Sequence, residues 1–416
     1  MSCGSARGEP AGRSPRVLLF GLEFPPSVAG TAVYARALAG ALAGRGVDVR
    51  VLTQADVDER WRDLDPGLPF PVARLDHTGF VPRRYGRALA GLGRALREHE
   101  PDCLWTTNGM ATRVAGLLPG LGRATPPVIS CARGSDIRTR LPGRGPGRRL
   151  ESVPQRRCYV RSAGIAAASS ELRQVAISKG LDGARIFVSH SAFDVDAIPA
   201  RQRAPRAPGR EAVVLTVARL TAQKRVDVSL RAVAGVLRRG LAARYVVVGD
   251  GPEMPALQRL AAELEIAEHV DFRGPLEPMS PELFALYTEA DLFLLTSVGE
   301  GLANVYIEAG AFGLPCLGAD SGGTPEIVLD ETSGLLCPPD DVEATTARLV
   351  ALLEEPERAA AMGRAARQWI AEEYGLATMG QRSERAVRQA VECGRVTVDV
   401  RGHVRETPAR GDQRRD

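Results

Sequence analysis

Ser297-Val298-Gly299-Glu300-Gly301-Leu302-Ala303-Asn304-Val305-Tyr306-Ile307-Glu308-Ala309 follows the apolar run Asp291-Leu292-Phe293-Leu294-Leu295. Together they read as a buried parallel strand, a glycine-containing turn and a helix. Such a junction is an anion site, because the first N–H groups of a helix have no partner within it. Glu300 in the turn and Glu308 on the helix bracket that site. Two carboxylates around an anion site suit a ligand with both phosphate and hydroxyl groups, such as a sugar nucleotide. On spacing alone the two glutamates are equally readable as solvated helix-end charges, with Glu300 favoured there by the helix dipole.

The same alternation extends in both directions. Strands are expected at 16–24, 47–53, 72–75, 103–106, 128–131, 164–168 and 186–189, with helices at 33–45, 83–99, 112–118 and 170–179. A Pro/Arg/Ala segment at 199–210 then breaks the pattern. It resumes with strands at 212–217, 245–248, 270–272 and 315–317, helices at 226–239, 255–264 and 281–287, and a helical stretch over 342–391. Strands alternating with helices predict parallel α/β layers. Two such domains in series would leave a cleft where strand C-termini meet.

The 416 residues are 44% hydrophobic and 25% charged with net charge +4, a globular composition for two or three domains. That charge does not call for nucleic acid, and no aromatic-interleaved basic motif is present. Seven scattered cysteines without a C-x-x-C pair argue against a disulfide framework and for a reducing cytoplasm. They and five isolated histidines offer no metal cluster, so no metal site is expected. The N-terminus lacks the apolar core of a signal peptide, and no run approaches a membrane span of about 18 residues. The chain is expected to be cytoplasmic, free or attached peripherally to the inner face of the membrane.

Further segments suit the same ligand. Arg219 ends a strand and Lys224 lies just before a helix, so both cations can reach one diphosphate. Each such contact at about 4 Å is worth roughly 4 kcal/mol at an effective dielectric of 20, before desolvation. A helix N-terminus adds at most about 2 kcal/mol, so the cations should dominate. Val248-Gly249-Asp250-Gly251-Pro252, Arg273-Gly274-Pro275-Leu276 and Ser321-Gly322-Gly323-Thr324-Pro325-Glu326 are strand-end loops. The Arg273–Leu276 loop can meet a base edge through its backbone.

The ordered set resembles the retaining nucleotide-sugar glycosyltransferases of family 4 (glycosyl transferases group 1), whose fold is GT-B. The family's Glu-x7-Glu element is matched by Glu300 and Glu308, and its Arg-x4-Lys pair by Arg219 and Lys224. Gly334-Leu335-Leu336-Cys337-Pro338-Pro339-Asp340 stands in family order, and Pro25-Pro26-Ser27-Val28-Ala29-Gly30-Thr31 resembles the family's N-terminal glycine loop. The resemblance covers residues 16–390 and implies two Rossmann-like domains facing across a cleft. The implied layout is a disordered N-terminus (1–14), an acceptor domain (15–200), a linker (201–210) and a donor domain (211–375). A C-terminal helix (376–394) can cross back to the first domain, and 395–416 forms a disordered tail.

By the same resemblance, Arg219, Lys224, Glu300 and Arg133 form the catalytic set, with Glu300 on the transferred sugar. Gly30, Gly249, Arg273, Leu276, Gly301, Leu302, Ala303, Asn304 and Glu308 bind the donor, Glu308 through ribose hydroxyls. The N–H groups of Leu302, Ala303 and Asn304 face the diphosphate. Ala29, Thr31 and Asp136 bind the acceptor. The implied reaction is metal-independent hexosyl transfer with retention, from a UDP- or GDP-sugar and without a cofactor. The acceptor is a hydroxyl of a glycan, a lipid-linked glycan or a small aglycone. Electrostatic preorganisation would supply most of the acceleration.

Three departures stand out. Ala29-Gly30 replaces the family's Gly-Gly, Leu302-Ala303 replaces Phe-Gly, and Arg133 stands where many members carry His. A guanidinium is always protonated and cannot be a base, so Arg133 is expected to bind donor or acceptor oxygens with Asp136 orienting it. Arg133, Arg138, Arg140, Arg144, Arg148, Arg149, Arg156, Arg157 and Arg161 form an Arg-rich stretch interrupted by prolines and glycines. It reads as a solvated loop, with an acidic acceptor or an anionic membrane as the alternative. Two other functions stay open. A glycoside hydrolase would use Glu300 and Glu308 as its pair, but leaves Arg219 and Lys224 unused. A non-catalytic nucleotide- or sugar-binding α/β protein is the other, although the first βα turn lacks G-x-G-x-x-G.

Overall fold

The computed structural model describes residues 13–27, 29–55, 59–76, 81–121, 125–139, 141, 152–198, 204–399 and 401–405. It divides into two units, the first comprising 1–192 and 376–416 and the second 193–375. The first is built on β1 (Arg16–Phe20), β2 (Asp48–Gln54), β3 (Val72–Leu75), β4 (Cys103–Thr106), β5 (Val128–Ala132), β6 (Gly164–Ala167) and β7 (Ile186–Val188). They form one sheet in the order β3-β2-β1-β4-β5-β6-β7. Every pairing is parallel. Alternate residues of the central strands serve two cores. Val17, Leu19, Val49, Val51 and Trp105 face one, and Leu18, Phe20, Leu52 and Leu104 the other. Burial on both faces explains why these strands read as continuous apolar runs.

The second unit repeats the plan with β8 (Ala212–Val217), β9 (Ala243–Val248), β10 (Val270–Gly274), β11 (Leu292–Leu295), β12 (Cys316–Ala319) and β13 (Gly334–Cys337). Their order is β10-β9-β8-β11-β12-β13, again all parallel. In each sheet the strand order reverses beside the first strand, between β1 and β4 and between β8 and β11. Open parallel sheets bind ligands outside the strand C-termini at such a reversal.

Several expectations are corrected. The first strand ends at Phe20, four residues short of the expected end, because Gly21 starts the loop carrying Glu23. β13 was not anticipated, since Gly334–Cys337 is a short run between polar turns. The single helical stretch over 342–391 is three helices, Val342–Glu354, Pro356–Tyr374 and Leu376–Cys393. Pro356 and Gly375 mark the breaks, because proline is tolerated only in a first turn and a Cβ on Gly375 would stand 2.6 Å from the Ala371 carbonyl. Nor is the tail mobile from 395. Val396 donates its N–H to the Ala163 carbonyl (2.8 Å), Val188 donates to Gly402 (3.0 Å), and Val396, Val398 and Val404 are buried in the first core. Residues 406–416 lie outside the described residues, as do 1–12 of the expected N-terminal tail.

Helix Leu376–Cys393 packs on helix Gly30–Ala43 within the first unit, where a Cβ on Gly380 would stand 2.7 Å from the Ala41 carbonyl. Of the expected linker, 201–203 lie outside the described residues. The described part is tied down, with Arg206 donating to the Leu353 carbonyl (2.7 Å) and Arg210 paired with Asp291.

The Arg-rich stretch is not a solvated loop throughout. Ser152–Arg161 is a helix. Arg156 donates to the Lys179 carbonyl (3.2 Å), Arg157 to those of Gly116 (2.9 Å) and Leu118 (3.2 Å), and Arg161 to that of Leu121 (3.2 Å). Guanidinium groups here satisfy helix- and turn-end carbonyls, a structural use of charge that composition does not distinguish from a ligand site. Arg140, Arg144, Arg148 and Arg149 lie outside the described residues. Among the described residues no helix is long and apolar enough to cross a membrane, and no group of three or more His, Cys, Asp or Glu is arranged to hold a metal.

Candidate functional site

The loops after β8 and β11 meet at the strand-order reversal of the second sheet. The β8 loop ends in a single 3-10 turn, Ala222–Lys224, whose Gln223 carbonyl accepts from Val298 N–H (3.0 Å) and whose Gln223 side chain donates to the Gly299 carbonyl (3.2 Å). These bonds bring Lys224 Nζ to 2.9 Å from Glu300 Oε1, with side-chain exposures of 18% and 15%. At that depth the Coulomb attraction is on the order of 5 kcal/mol before desolvation. Desolvation offsets part of that attraction, and Oε1 meets Lys224 as an ion pair without hydrogen-bond geometry. Arg219 is exposed, and its guanidinium has no hydrogen-bond or ion-pair partner among the described residues.

Glycines make the surrounding loops possible. Gly322, at φ +62°, lies so close to Glu300 that a Cβ would sit 2.2 Å from the Glu300 carbonyl. Gly323 N–H donates to that carbonyl (3.2 Å), and Gly299 N–H donates to Ser321 Oγ (3.0 Å). Gly249, at φ +129°, approaches the Ala218 carbonyl within 1.9 Å of where its Cβ would be, beside Arg219. Its N–H donates to Gly274 (2.8 Å), bringing the Arg273–Leu276 loop alongside. Arg273 itself points to Asp271 (2.6 Å) and stays exposed, whereas Leu276 packs against the core. The structure thus gives Arg273 an acidic neighbour.

Helix Asn304–Ala311 opens at Ala303, which supplies no side-chain cap. Gly301 and Ala303 are buried and Leu302 is half-buried against the core. The uncapped turn leaves amides for an anion. One turn along, Glu308 Oε2 accepts from Tyr287 Oη (2.9 Å), and Tyr287 is fixed by stacking on Phe312 at 5.1 Å. Glu308 keeps some exposed surface, yet protein crowds it enough that burial lifts its carboxyl to about 7, with the Tyr287 bond opposing. The same neighbourhood pushes the Tyr287 hydroxyl upward, mainly through burial and then through Glu308. Tyr287 was missed from sequence, since an aromatic on an amphipathic helix reads as core.

In the first unit, Arg133 is held from three sides. Its guanidinium donates to the Ser189 carbonyl (2.7 Å) and Ser191 Oγ (2.8 Å), and lies 3.7 Å from the Tyr34 ring centroid. Asp136 does not orient that guanidinium. It accepts backbone N–H bonds from Arg133 (3.0 Å) and Gly134 (2.7 Å) and a hydroxyl bond from Tyr159 (3.1 Å), and it is buried. These bonds occupy both carboxylate oxygens, so Asp136 braces the backbone of the turn and not the Arg133 guanidinium, which corrects its expected orienting role. Ala29 and Gly30 open helix Gly30–Ala43 without a side-chain cap. Thr31 Oγ1 donates to Glu23, a residue at the mouth of β1 that the sequence analysis did not single out.

Residues 198–369 match the model for glycosyl transferases group 1, and residues 29–192 match that for a glycosyl transferase 4-like domain. A GDP-mannose-dependent alpha-(1-6)-phosphatidylinositol monomannoside mannosyltransferase of Mycolicibacterium smegmatis is 32% identical over 390 residues, covering 88% of this chain and 96% of the relative. A D-inositol 3-phosphate glycosyltransferase of Nocardia farcinica is 39% identical over 214 residues, 48% of this chain and 46% of its own. Among solved structures, sucrose-phosphate synthase of Thermosynechococcus elongatus superposes with TM-score 0.73 at 18% identity, covering 91% of this chain and 99% of its own. Anabaena HepE with UDP and glucose gives 0.71 at 17%, covering 90% and 100%.

Proposed function

Because this chain belongs to the group 1 glycosyltransferases of GT-B fold, we propose that it transfers a mannosyl or other hexosyl group from GDP-mannose or a related nucleotide sugar. The acceptor is a hydroxyl of an inositol-containing glycolipid or a related glycan or aglycone, and the anomeric configuration is retained. Membership in a transferase family sets aside the hydrolase and non-catalytic readings.

The observation that carries the proposal is the Lys224–Glu300 pair at the strand-order reversal of the second sheet. Lys224 and the unpaired Arg219 supply positive charge for the departing diphosphate, with the uncapped Asn304 turn beside them. Glu300, pre-aligned by Lys224, accepts hydroxyls of the sugar in flight. Glu308 accepts the ribose hydroxyls. With two protein cations at the leaving group, the reaction runs without a metal. Coverage of nearly the whole mannosyltransferase relative, and the nucleotide-sugar dependence in its name, support the donor class.

A lipid acceptor also implies a membrane approach, in the cytoplasm at the inner face. Helix Val81–His99 favours it, since Arg83, Arg84, Arg87, Arg94 and Arg97 are all exposed while Leu92 and Ala95 are buried. The test is incubation of the purified chain with radiolabelled GDP-mannose and vesicles containing phosphatidylinositol monomannoside, beside UDP-glucose and other donors, with and without EDTA. Labelled glycolipid with an α-anomeric proton signal, unaffected by EDTA, is expected. Neither transfer nor donor hydrolysis from any nucleotide sugar overturns the proposal.

A further inference from the structure

Glu23 stands at the C-terminal mouth of β1, beside the reversal between β1 and β4. It is half-buried and has no ion-pair partner among the described residues. Its neighbours Leu22 and Phe24 are 4% and 3% exposed, so the loop is anchored on both sides. Oε2 accepts from Thr31 Oγ1 and from Asn108 Nδ2 (3.4 Å). The orientation of the Asn108 amide is set independently, because its Oδ1 already accepts from Ala111 N–H (2.8 Å) at a helix start. Its NH2 group therefore faces the carboxylate.

Both donors go to one oxygen, while a carboxylate offers about four acceptor positions. Its other oxygen is therefore open to further donors. Charge decides what those donors are. The first turn of helix Gly30–Ala43 favours an anion, and Glu23 already places one against Thr31. A phosphate in that turn would meet a like charge. Neutral hydroxyls would not.

We propose that Glu23 reads the acceptor, its Oε1 accepting a hydrogen bond from a hydroxyl of a polyhydroxylated ring such as a cyclitol or sugar. The Ala29-Gly30-Thr31 turn then serves that acceptor and not the donor diphosphate, which reassigns Gly30. This rests on the glycosyl-transfer reading and adds to it a residue and a ligand chemistry for the first unit.

The test titrates wild type, Glu23→Gln and Glu23→Ala with mannosyl-myo-inositol, myo-inositol and methyl α-mannoside by calorimetry, and separately with GDP. Wild type is expected to bind one of the three polyols, and both variants about 10- to 100-fold more weakly, the loss of a hydrogen bond to a charged group. A monodeoxy analogue lacking the hydroxyl that Glu23 reads should bind wild type and Glu23→Ala equally. A merely structural residue would lower affinity for every polyol alike, the monodeoxy analogue included. GDP affinity is expected to be the same in all three proteins, and absence of GDP binding by wild type counts against the transferase site, not against Glu23. If Glu23→Ala does not fold, Glu23→Gln carries the measurement. Equal polyol affinity in wild type and variant, no affinity for any of the three polyols, or a variant weakened towards GDP overturns the proposal.

Discussion

Lys224 and Glu300 each depend on the other. Lys224→Ala leaves Glu300 in a mostly buried position without its cation, for a stability loss of about 1–3 kcal/mol, between exposed and fully buried pairs. It also removes charge from the leaving group, so kcat should fall by about 10² or more. Urea unfolding and initial-rate kinetics read the two effects separately; unchanged kcat would remove Lys224 from the chemistry. Glu308 carries a pH signature of its own. Its carboxyl is raised to about 7 in the fold, so its stabilising contribution is complete below about 4.5, where it is neutral folded or unfolded. That contribution is lost as pH rises to 7, and is level above. Ribose hydroxyls favour the ionised form, so donor affinity should strengthen by up to tenfold per pH unit below 7 and then level off. Calorimetry of GDP across pH 5–8 tests this as the difference between wild type and Glu308→Gln, because the terminal phosphate of GDP titrates in the same range. A difference that stays flat through 7 would show that the donor does not need the carboxylate ionised.

At the scale of elements, the site is a set of strand-end loops locked by close backbone approaches. Gly322→Ala would put a methyl 2.2 Å from the Glu300 carbonyl at φ +62°, so one of the two loops must shift and the Lys224–Glu300 alignment is expected to suffer. We expect at least a tenfold loss in transfer with the melting transition still cooperative, read by calorimetry beside kinetics. Wild-type turnover in that variant would mean the loop adjusts elsewhere. The basic face of helix Val81–His99 makes its own prediction. Reversing Arg94 and Arg97 to Glu should weaken binding to anionic vesicles about tenfold or more at low salt and leave GDP affinity unchanged. Equal sedimentation with vesicles would discard that face. Much of this was legible in the sequence, because apolar runs before glycine turns mark buried parallel strands whatever their partners. Lys224 and Glu300, which the structure joins in an ion pair, were each singled out by spacing and resemblance together, as were Arg219 and Glu308. Glu23 and Tyr287 were not, since their roles arise from contacts eight and twenty-one residues away along the chain. The arginines of helix Ser152–Arg161 misled for the converse reason, as the carbonyls they satisfy are remote in sequence.

At the scale of the whole chain, the two units differ in what closes them. The second builds its cores entirely from residues between 193 and 375. The first needs the chain's end, since Met379, Ala386, Val387, Ala390, Val396, Val398 and Val404 are buried in its core beside Val17, Leu38 and Trp105. Val396 also bonds to Ala163 just before β6, and Gly402 accepts from Val188 of the edge strand β7. Each large apolar side chain removed from a core costs about 2–5 kcal/mol, against a total stability of about 5–15 kcal/mol. Truncation after Gly375 should therefore unfold the first unit and spare the second. The expected record is loss of the near-ultraviolet signal of buried Trp105 and of acceptor binding, with GDP binding and one cooperative melting transition retained. Trp369 lies in the second unit and serves as its internal reporter. If the truncated chain kept both ligands, the C-terminal helix would be an ornament on the first unit; if it lost GDP as well, the second core would not be self-sufficient.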